Sequence, residues 1–326
     1  MRVAIVGAGV SGLAAARALY DAGLRPTVFE GSQRVGGRLM GWSAPPGLTF
    51  DMGATLLAPT SEGFRELLEG LPGNARPERI QRWIVPHEGL RVLPGDPARN
   101  AAARYAFARG NQVLAEDLSQ GLEVRLGSPV EWLDRFDGGI GVRGERYDAV
   151  ILAVPGPEAA RLLETLGERR PIRPDGYRAC VSVALGYPMD APDLPWFALI
   201  DPDQRHPLGW LSLESRKVSG RAPDGWAAIV AQLSARASSD WFDLDDATIV
   251  ERTAGFVGRL FGRGWDVAST FHVVRWRHSQ PELTAMFEAV NRPGGRVWVA
   301  GDAVTKGRVE YAYESGRRVA ALLLEG

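Results

Sequence analysis

Apolar residues near the start of the chain form two short runs with a helix-like stretch between them. Residues 2–6 and 26–29 each predict a short buried strand. Residues 11–22 are rich in Ala and Leu and predict a helix that ends at Gly23. A strand, a helix and a second strand in this order predict a βαβ unit with parallel strands.

Helical and alternating patterns continue along the rest of the chain. Further helices are predicted at residues 61–68, 111–118 and 245–260 and within 308–325. Further strands are predicted at residues 122–126, 130–136, 140–142, 149–154, 226–233, 271–276 and 297–300. Residues 72–100 and 171–215 hold many Pro and Gly turns and predict short strands at most. The pattern predicts an α/β protein.

Composition narrows the class of protein. A length of 326 residues suggests about two domains. The net charge of -1 gives no basic excess, so no nucleic-acid partner is expected. No run of about 18 apolar residues occurs, so no membrane span is expected. The single cysteine, Cys180, excludes an internal disulfide and fits a reducing cytoplasm.

Histidines and lysines are scarce, which limits the candidate chemistry. The four histidines lack the spacing of a metal site, so no metal is expected. Of the 38 basic residues, only Lys217 and Lys306 are lysines, which leaves few candidates for a catalytic amine. Lys217 lies in a polar stretch and is expected to be a solvated surface residue.

The first strand leads into a glycine-rich turn that predicts nucleotide binding. Gly7, Gly9 and Gly12 have the G-x-G-x-x-G spacing and lead from the first strand into the predicted helix, whose first turn contains Ser11 and Gly12. The free N–H groups of a helix start can bind a pyrophosphate. Glu30 ends the second strand, where its carboxylate can accept hydrogen bonds from a ribose. This favours FAD or NAD over NADP.

Five further segments resemble motifs of the FAD-dependent amine oxidase superfamily. Glu30, Arg34, Gly36, Gly37 and Arg38 match its ExxxRxGGR signature. The other segments contain Gly53-Ala54, Val130, Gly301-Asp302 and Val309-Glu310. The resemblance implies that these residues bind FAD. It also implies that Asp302 accepts a hydrogen bond from a ribityl hydroxyl of FAD. The start of the helix near Glu310 is expected to face flavin N1 and O2.

The superfamily resemblance implies a fold and a division into domains. It implies a Rossmann-type FAD-binding domain of the glutathione-reductase-2-like class with an inserted substrate domain of mixed β-sheet and helices. The FAD-binding domain is expected to comprise residues 1–70, 105–160 and 286–326. The substrate domain is expected to comprise residues 71–104 and 161–285.

The length of the chain and the run from Arg275 to Pro281 resemble the renalase branch of this superfamily. That resemblance implies oxidation of 2- and 6-dihydro isomers of NAD(P) to NAD(P)+ by hydride transfer to flavin N5, with O2 reduced to H2O2. No catalytic side chain is then required, because the substrate is itself a hydride donor. Because Cys180 lies far from the C-terminal motifs, the FAD is expected to be noncovalent.

The middle of the chain supplies the candidates for substrate contacts. Aromatic side chains could line an apolar pocket, and arginines could bind substrate phosphates. The candidates are Trp196, Trp210, Trp276, Arg275, Arg277, His278 and Tyr311. Arg275 and Arg277 alternate along a predicted strand and therefore share one face.

Other functions remain open at this level. One is a small flavin amine oxidase or a related FAD-dependent oxidoreductase, for which the substrate would be an amine. Amine oxidases of this superfamily often use a lysine, and the two lysines of the chain weigh against that function. Another is a flavin- or nucleotide-binding protein without catalysis. Monomer and homodimer, and NAD and NADP as substrate, also remain open.

Overall fold

A computed structural model describes residues 1–173, 175–292 and 294–325 as an α/β protein with mixed sheets. Its strands are β1 (Val3–Val6), β2 (Thr27–Phe29), β3 (Gly41–Ala44), β4 (Leu48–Asp51), β5 (Glu78–Arg79), β6 (Trp83–Glu88), β7 (Arg91–Val92), β8 (Tyr105–Ala106), β9 (Glu123–Arg125), β10 (Leu133–Phe136), β11 (Gly139–Val142), β12 (Glu145–Tyr147), β13 (Ala149–Leu152), β14 (Tyr177–Tyr187), β15 (Trp196–Ile200), β16 (Leu208–Leu213), β17 (Ala227–Leu233), β18 (Thr270–Pro281) and β19 (Val297–Val299).

The helices connect these strands. They are α1 (Val10–Asp21), α2 (Glu62–Gly70), α3 (Pro97–Ala101), α4 (Val113–Leu118), α5 (Gly156–Thr165), α6 (Glu214–Lys217), α7 (Ala235–Asp240), α8 (Asp246–Phe261), α9 (Phe287–Val290) and α10 (Val309–Glu325). Side chains cap the N-termini of several helices. Ser61 accepts a hydrogen bond from the backbone N–H of Phe64 at the start of α2, and Asp245 accepts one from the backbone N–H of Thr248 at the start of α8.

One sheet joins the beginning and the end of the chain. Its five strands are ordered β19-β13-β1-β2-β9, and each neighbouring pair runs parallel. Val3–Val6 is buried at every position, as expected for a strand that is covered on both faces. Helices α1 and α10 pack directly on each other beside this sheet. Parallel strands end at the same edge, so their loops collect there.

A second sheet contains the middle of the chain. Its seven strands are ordered β18-β14-β17-β16-β15-β6-β7, with β15 and β6 parallel and the other pairs antiparallel. Alternation along β14 divides its two faces. Val181 and Val183 pack in one core with helix α8, whereas Ala184 packs with Leu48 and Phe50 of the β3–β4 hairpin.

The elements predicted from local patterns agree with the structure to within a few residues at most positions. The regions with many turns differ more. Residues 171–215 contain the 11-residue strand β14 as well as β15 and β16, and β18 continues to Pro281 instead of ending at residue 276. Helix α5 and the β3–β4 hairpin were not predicted. Within the described ranges, no helix is both long enough and apolar enough to span a bilayer.

Candidate functional site

A cavity of about 920 Å³ lies where the loops of the parallel sheet meet the seven-stranded sheet. Gly7, Glu30, Ala153 and Gly301 follow or directly adjoin the carboxyl ends of four parallel strands, and all four residues line it. The opposite wall comes from the seven-stranded sheet. Ligands of open α/β sheets bind at this edge, so the cavity is the candidate site.

The structure brings most of the residues singled out in the sequence to this cavity. Those that line it are Gly7, Gly9, Ser11, Glu30, Arg34, Gly37, Arg38, Gly53, Ala54, Gly301, Asp302, Val309, Glu310, Trp210, Arg275, Trp276, Arg277 and His278. Four residues are not part of its wall: Gly12, Val130, Trp196 and Tyr311.

The first glycine turn packs tightly on one side and is open on the other. A Cβ on Gly12 would lie 2.0 Å from the carbonyl oxygen of Gly7, and one on Gly7 would lie 2.6 Å from that of Ala153. A Cβ on Gly9 would meet nothing within 4 Å. Gly9 is also the N-cap of α1, and no side chain caps this helix. The first N–H groups of α1 are therefore available to an anion in the cavity.

The second glycine motif lies against the first. The backbone N–H of Gly36 donates to the carbonyl oxygen of Ala8 at 2.9 Å. The two carboxylate oxygens of Glu30 accept from the backbone N–H groups of Ala8 and Ser32, each at 2.8 Å. Each of these oxygens keeps a second lone pair for a hydroxyl donor. Glu30 thus fits a ribose next to the glycine turn.

Arg38 and Asp302, which follow strands β2 and β19 of the parallel sheet, form an ion pair that contacts the seven-stranded sheet. Both terminal nitrogens of Arg38 donate to the Asp302 carboxylate, which also accepts from the Tyr177 hydroxyl at 2.9 Å. Burial alone would lower the pKa of Arg38, but the hydrogen bond and charge of Asp302 raise it. Arg38 is therefore held by a carboxylate, and both oxygens of Asp302 already have protein donors.

The start of α10 lines the cavity, and the Glu310 side chain binds a neighbouring loop. Its carboxylate accepts from the backbone N–H groups of Thr60 and Ser61 and from the Thr60 hydroxyl. Burial would raise the pKa of Glu310, but the hydrogen bonds from Ser61 and Thr60 lower it. Glu310 is therefore an ionised anchor for the loop that precedes α2.

Three side chains hold three consecutive backbone carbonyls beside the cavity. The indole N–H of Trp276 donates to the carbonyl oxygen of Met52 at 3.0 Å, and Gln232 Nε2 donates to that of Gly53 at 2.7 Å. Asn111 Nδ2 donates to that of Ala54 at 2.9 Å. The segment is therefore fixed by residues from β18, from β17 and from the turn that precedes α4. Gln232 was not predicted, although it is the one polar residue in the strand sequence AAIVAQL.

Lys217 is completely buried, which corrects the expectation of a surface lysine. Its Nζ lies 3.0 Å from Asp51 Oδ2 and 2.7 Å from Glu214 Oε2. Arg221 donates to the same two oxygens at 2.8 and 2.6 Å. All four side chains are at most 1% exposed. We call Asp51, Glu214, Lys217 and Arg221 the buried ion cluster.

Several expected substrate contacts lie elsewhere. Trp196 is 6% exposed and stacks on Phe261 in the core of the seven-stranded sheet, so the expectation that it lines the cavity is wrong. Tyr311 lies beneath the guanidinium of Arg308 instead. Val130 is buried in the core of the parallel sheet. Each is removed from the cavity by hydrophobic or stacking contacts that local sequence does not reveal.

The two arginines of β18 border the cavity, but their side chains contact the α7–α8 connection. Arg275 donates to the carbonyl oxygens of Phe242 and Leu244 and pairs with Asp246 at 2.7 Å. Arg277 lies over the Phe242 ring. They do share one face, but that face packs on the α7–α8 connection. The expectation that they contact substrate phosphates is not supported by these partners.

His278 has partners at the junction of the two sheets. Its Nδ1 lies 3.6 Å from Glu158 Oε1, and its ring packs edge-on against Tyr177 at 5.8 Å between centroids. Its backbone carbonyl also accepts from Arg38 at 3.4 Å. His278 therefore belongs to the same junction as the Arg38–Asp302 ion pair. No group of three or more metal-ligating side chains occurs in the part of the chain that the structure describes.

Known proteins resemble this chain in sequence and in fold. The family model of flavin-containing amine oxidoreductases matches residues 10–103 and 87–324. An L-amino acid dehydrogenase of Synechocystis sp. is 38% identical over 95 residues, which are 29% of this chain and 19% of that protein. The match therefore spans about a fifth of the relative's length.

Two solved structures share the fold over almost their whole length. A reduced UDP-galactopyranose mutase has a TM-score of 0.79 at 14% identity, covering 99% of this chain and 95% of that one. A putrescine oxidase bound to putrescine has a TM-score of 0.71 at 17% identity, covering 100% of both chains. At such identities the likeness establishes the fold alone.

Proposed function

Because the chain belongs to the family of flavin-containing amine oxidoreductases, whose members are FAD-dependent, we propose that it is a renalase-like oxidase. The proposed substrates are the 2- and 6-dihydro isomers of NAD(P). In the overall reaction, one dihydronicotinamide, one proton and one O2 give one NAD(P)+ and one H2O2. The hydride and the proton both end in the peroxide, so atoms and electrons balance.

We further propose that the parallel sheet is the core of a Rossmann-type FAD-binding domain and that the seven-stranded sheet forms the inserted substrate domain. The open N-terminus of α1, Gly9 and Glu30 would hold the pyrophosphate and a ribose. Cys180 does not line the cavity, and burial raises the pKa of its thiol, so noncovalent FAD is favoured. Flavin released by acid precipitation would support this part of the proposal.

One observation carries the choice of substrate: within the described residues, no lysine side chain reaches the cavity. Lys217 is bound within the buried ion cluster, and Lys306 is exposed and lies outside the cavity wall. Amine oxidation assisted by a lysine therefore has no candidate here. A dihydronicotinamide is already a hydride donor and needs no such group.

The remaining side chains of the cavity bind and orient. Bound flavin would supply the two-electron acceptor. Trp276 and Trp210 present aromatic surface on which a planar ring can pack. The Arg38–Asp302 pair closes the junction between the sheets and keeps both charges satisfied. This arrangement orients a substrate without moving a proton.

Flavin reduction under anaerobic conditions tests the proposal. We expect the 2- or 6-dihydro isomer of NAD to bleach the flavin absorbance within seconds, and admission of O2 to restore it with formation of H2O2. Ordinary 4-dihydro-NAD and a panel of primary amines are the controls and should be much slower. Reduction by an amine but by neither isomer would identify an amine oxidase instead. Absence of reduction by any of these compounds would also contradict the proposal.

A further inference from the structure

Gln232 is one of the polar residues that the seven-stranded sheet contributes to the cavity wall. It lies in β17 between buried apolar neighbours and pairs across the strands with Trp210 on one side and Ser182 on the other. Gln232 and Trp210 both line the cavity. A polar group at this position needs a hydrogen-bond partner, because transfer of an unpaired amide out of water costs free energy.

The orientation of the Gln232 amide follows from its bond to the backbone. The carbonyl oxygen of Gly53 can only accept, so the group 2.7 Å from it is the Nε2 amine. The Oε1 atom is thereby turned away from Gly53. Within the described residues, the bond from Nε2 to Gly53 is the side-chain hydrogen bond that Gln232 makes, and Oε1 accepts none. Gln232 therefore presents an acceptor whose direction is already set.

Trp276 is fixed by the adjacent carbonyl. Its indole N–H donates to Met52 O at 3.0 Å and is also 3.2 Å from the hydroxyl of the fully buried Ser182. The polar edge of the indole is thus engaged by protein atoms, and its ring is left as an apolar wall. Gln232 and Trp276 both donate to the segment Met52-Gly53. This shared attachment fixes the position of the Gln232 acceptor relative to the Trp276 ring.

We propose that Gln232 Oε1 determines specificity by accepting a hydrogen bond from the carboxamide N–H of a substrate ring that packs along Trp276. This inference rests on the proposed function and names the group that selects the nicotinamide end of the substrate. A carboxamide supplies the N–H donor that Oε1 lacks. A methyl ketone has no such donor, and a carboxylate would be repelled by the oxygen.

Two ligands that differ in one group measure this contact. Nicotinamide and 3-acetylpyridine have the same ring and carbonyl, but the second carries a methyl group in place of the amide NH2. Each is titrated into the flavin-loaded, oxidised protein, and the dissociation constant is read from the change in flavin absorbance. We expect the wild type to prefer nicotinamide by about tenfold, the value of one hydrogen bond.

Gln232→Met keeps the length of the side chain and removes the acceptor, so the preference should fall to within about twofold. Asn111→Leu is the matched control, because it removes the neighbouring bond to Ala54 O without changing the acceptor. It should retain the tenfold preference. Equal loss in both variants would mean that the segment had shifted, and would overturn direct recognition. A preference that persists in Gln232→Met, or is absent in the wild type, would overturn it as well.

A ligand series on the wild type keeps the test independent of whether Gln232→Met folds or retains flavin. N,N-dimethylnicotinamide lacks both amide hydrogens and should bind about tenfold more weakly than nicotinamide, whereas N-methylnicotinamide keeps one and should lie between them. Equal binding of all three would contradict the proposal. Failure of the proposed function has a different signature, namely wild-type flavin that neither dihydronicotinamide isomer reduces.

Discussion

Replacement of Lys217 by methionine is expected to lower the free energy of unfolding by about 3–5 kcal/mol. The buried ion cluster holds two cations and two anions that are almost inaccessible to water. Loss of the Lys217 ammonium leaves Asp51 and Glu214 with Arg221 as their remaining cation. An uncompensated buried charge is costly, because the protein interior solvates it poorly. Urea unfolding followed by tryptophan fluorescence would measure the change.

Lys306→Met is the matched control, since it removes the same charge from an exposed position. That variant should differ from the wild type by less than about 0.5 kcal/mol. The double variant Lys217→Met/Glu214→Gln removes one cation and one anion and should recover part of the loss. A cost below about 1 kcal/mol for Lys217→Met would show that the cluster does not hold the structure as described.

The same cluster gives the stability a defined dependence on pH. Burial would raise the pKa of Asp51, but the charges of Arg221 and Lys217 outweigh it and lower the pKa below the usual value. A carboxylate with a lowered pKa in the folded state stabilises fully above its unfolded pKa, about 4, and loses this effect as the pH falls through the folded value. In Lys217→Met, acid unfolding should begin at a higher pH.

Gly316→Ala is the second substitution with a large expected effect, a loss of about 3 kcal/mol or more in the free energy of unfolding. Gly316 lies inside α10, where this helix crosses α1. A Cβ there would lie 2.0 Å from the carbonyl oxygen of Ser11 and 3.1 Å from the backbone nitrogen of Ala15. Because both obstacles are backbone atoms, the two helices must move apart. Thermal unfolding would measure the loss.

Gly255→Ala tests the same change where space is available. Gly255 also lies inside a helix, α8, and a Cβ there would meet only the end of the Arg259 side chain at 3.9 Å. Alanine is the better helix former, so this variant should gain about 0.5–1 kcal/mol. Both helix starts line the cavity, so Gly316→Ala should also retain less flavin. Equal stability of the two variants would contradict the tight crossing.

Many of the strands and helices could be predicted from local patterns in the sequence. The glycine turn, its strand and its helix follow from spacing and apolar runs within the first thirty residues, and the structure has them at Val3–Val6 and Val10–Asp21. The seven-stranded sheet could not be predicted in this way. Its neighbours β6 and β15 lie more than a hundred residues apart, and pairing at that separation leaves no periodic signal.

The candidate site was predictable to the extent that it is built from contiguous motifs. Arg38 was singled out for its motif, but its partner Asp302 is 264 residues away in the chain. The polar sequence around Lys217 suggested exposure to solvent, and only the fold reveals that Glu214 and the distant Asp51 are its buried ion-pair partners. The role of Gln232 depends on its hydrogen bond to Gly53, which is 179 residues away in the chain. Contacts between side chains that are distant in the sequence depend on tertiary structure.

The order of strands in the parallel sheet determines when the sheet can be completed during synthesis of the chain. Strand β13 pairs with β1 on one side, but its other neighbour, β19, contains residues 297–299. At about 5–20 residues per second, the ribosome takes roughly 7–30 s to proceed from the end of β13 to β19. Until then one edge of β13 is unpaired, and Arg38 lacks Asp302. We therefore expect the nascent chain to need a chaperone, and flavin to be loaded only after β19 and α10 are made.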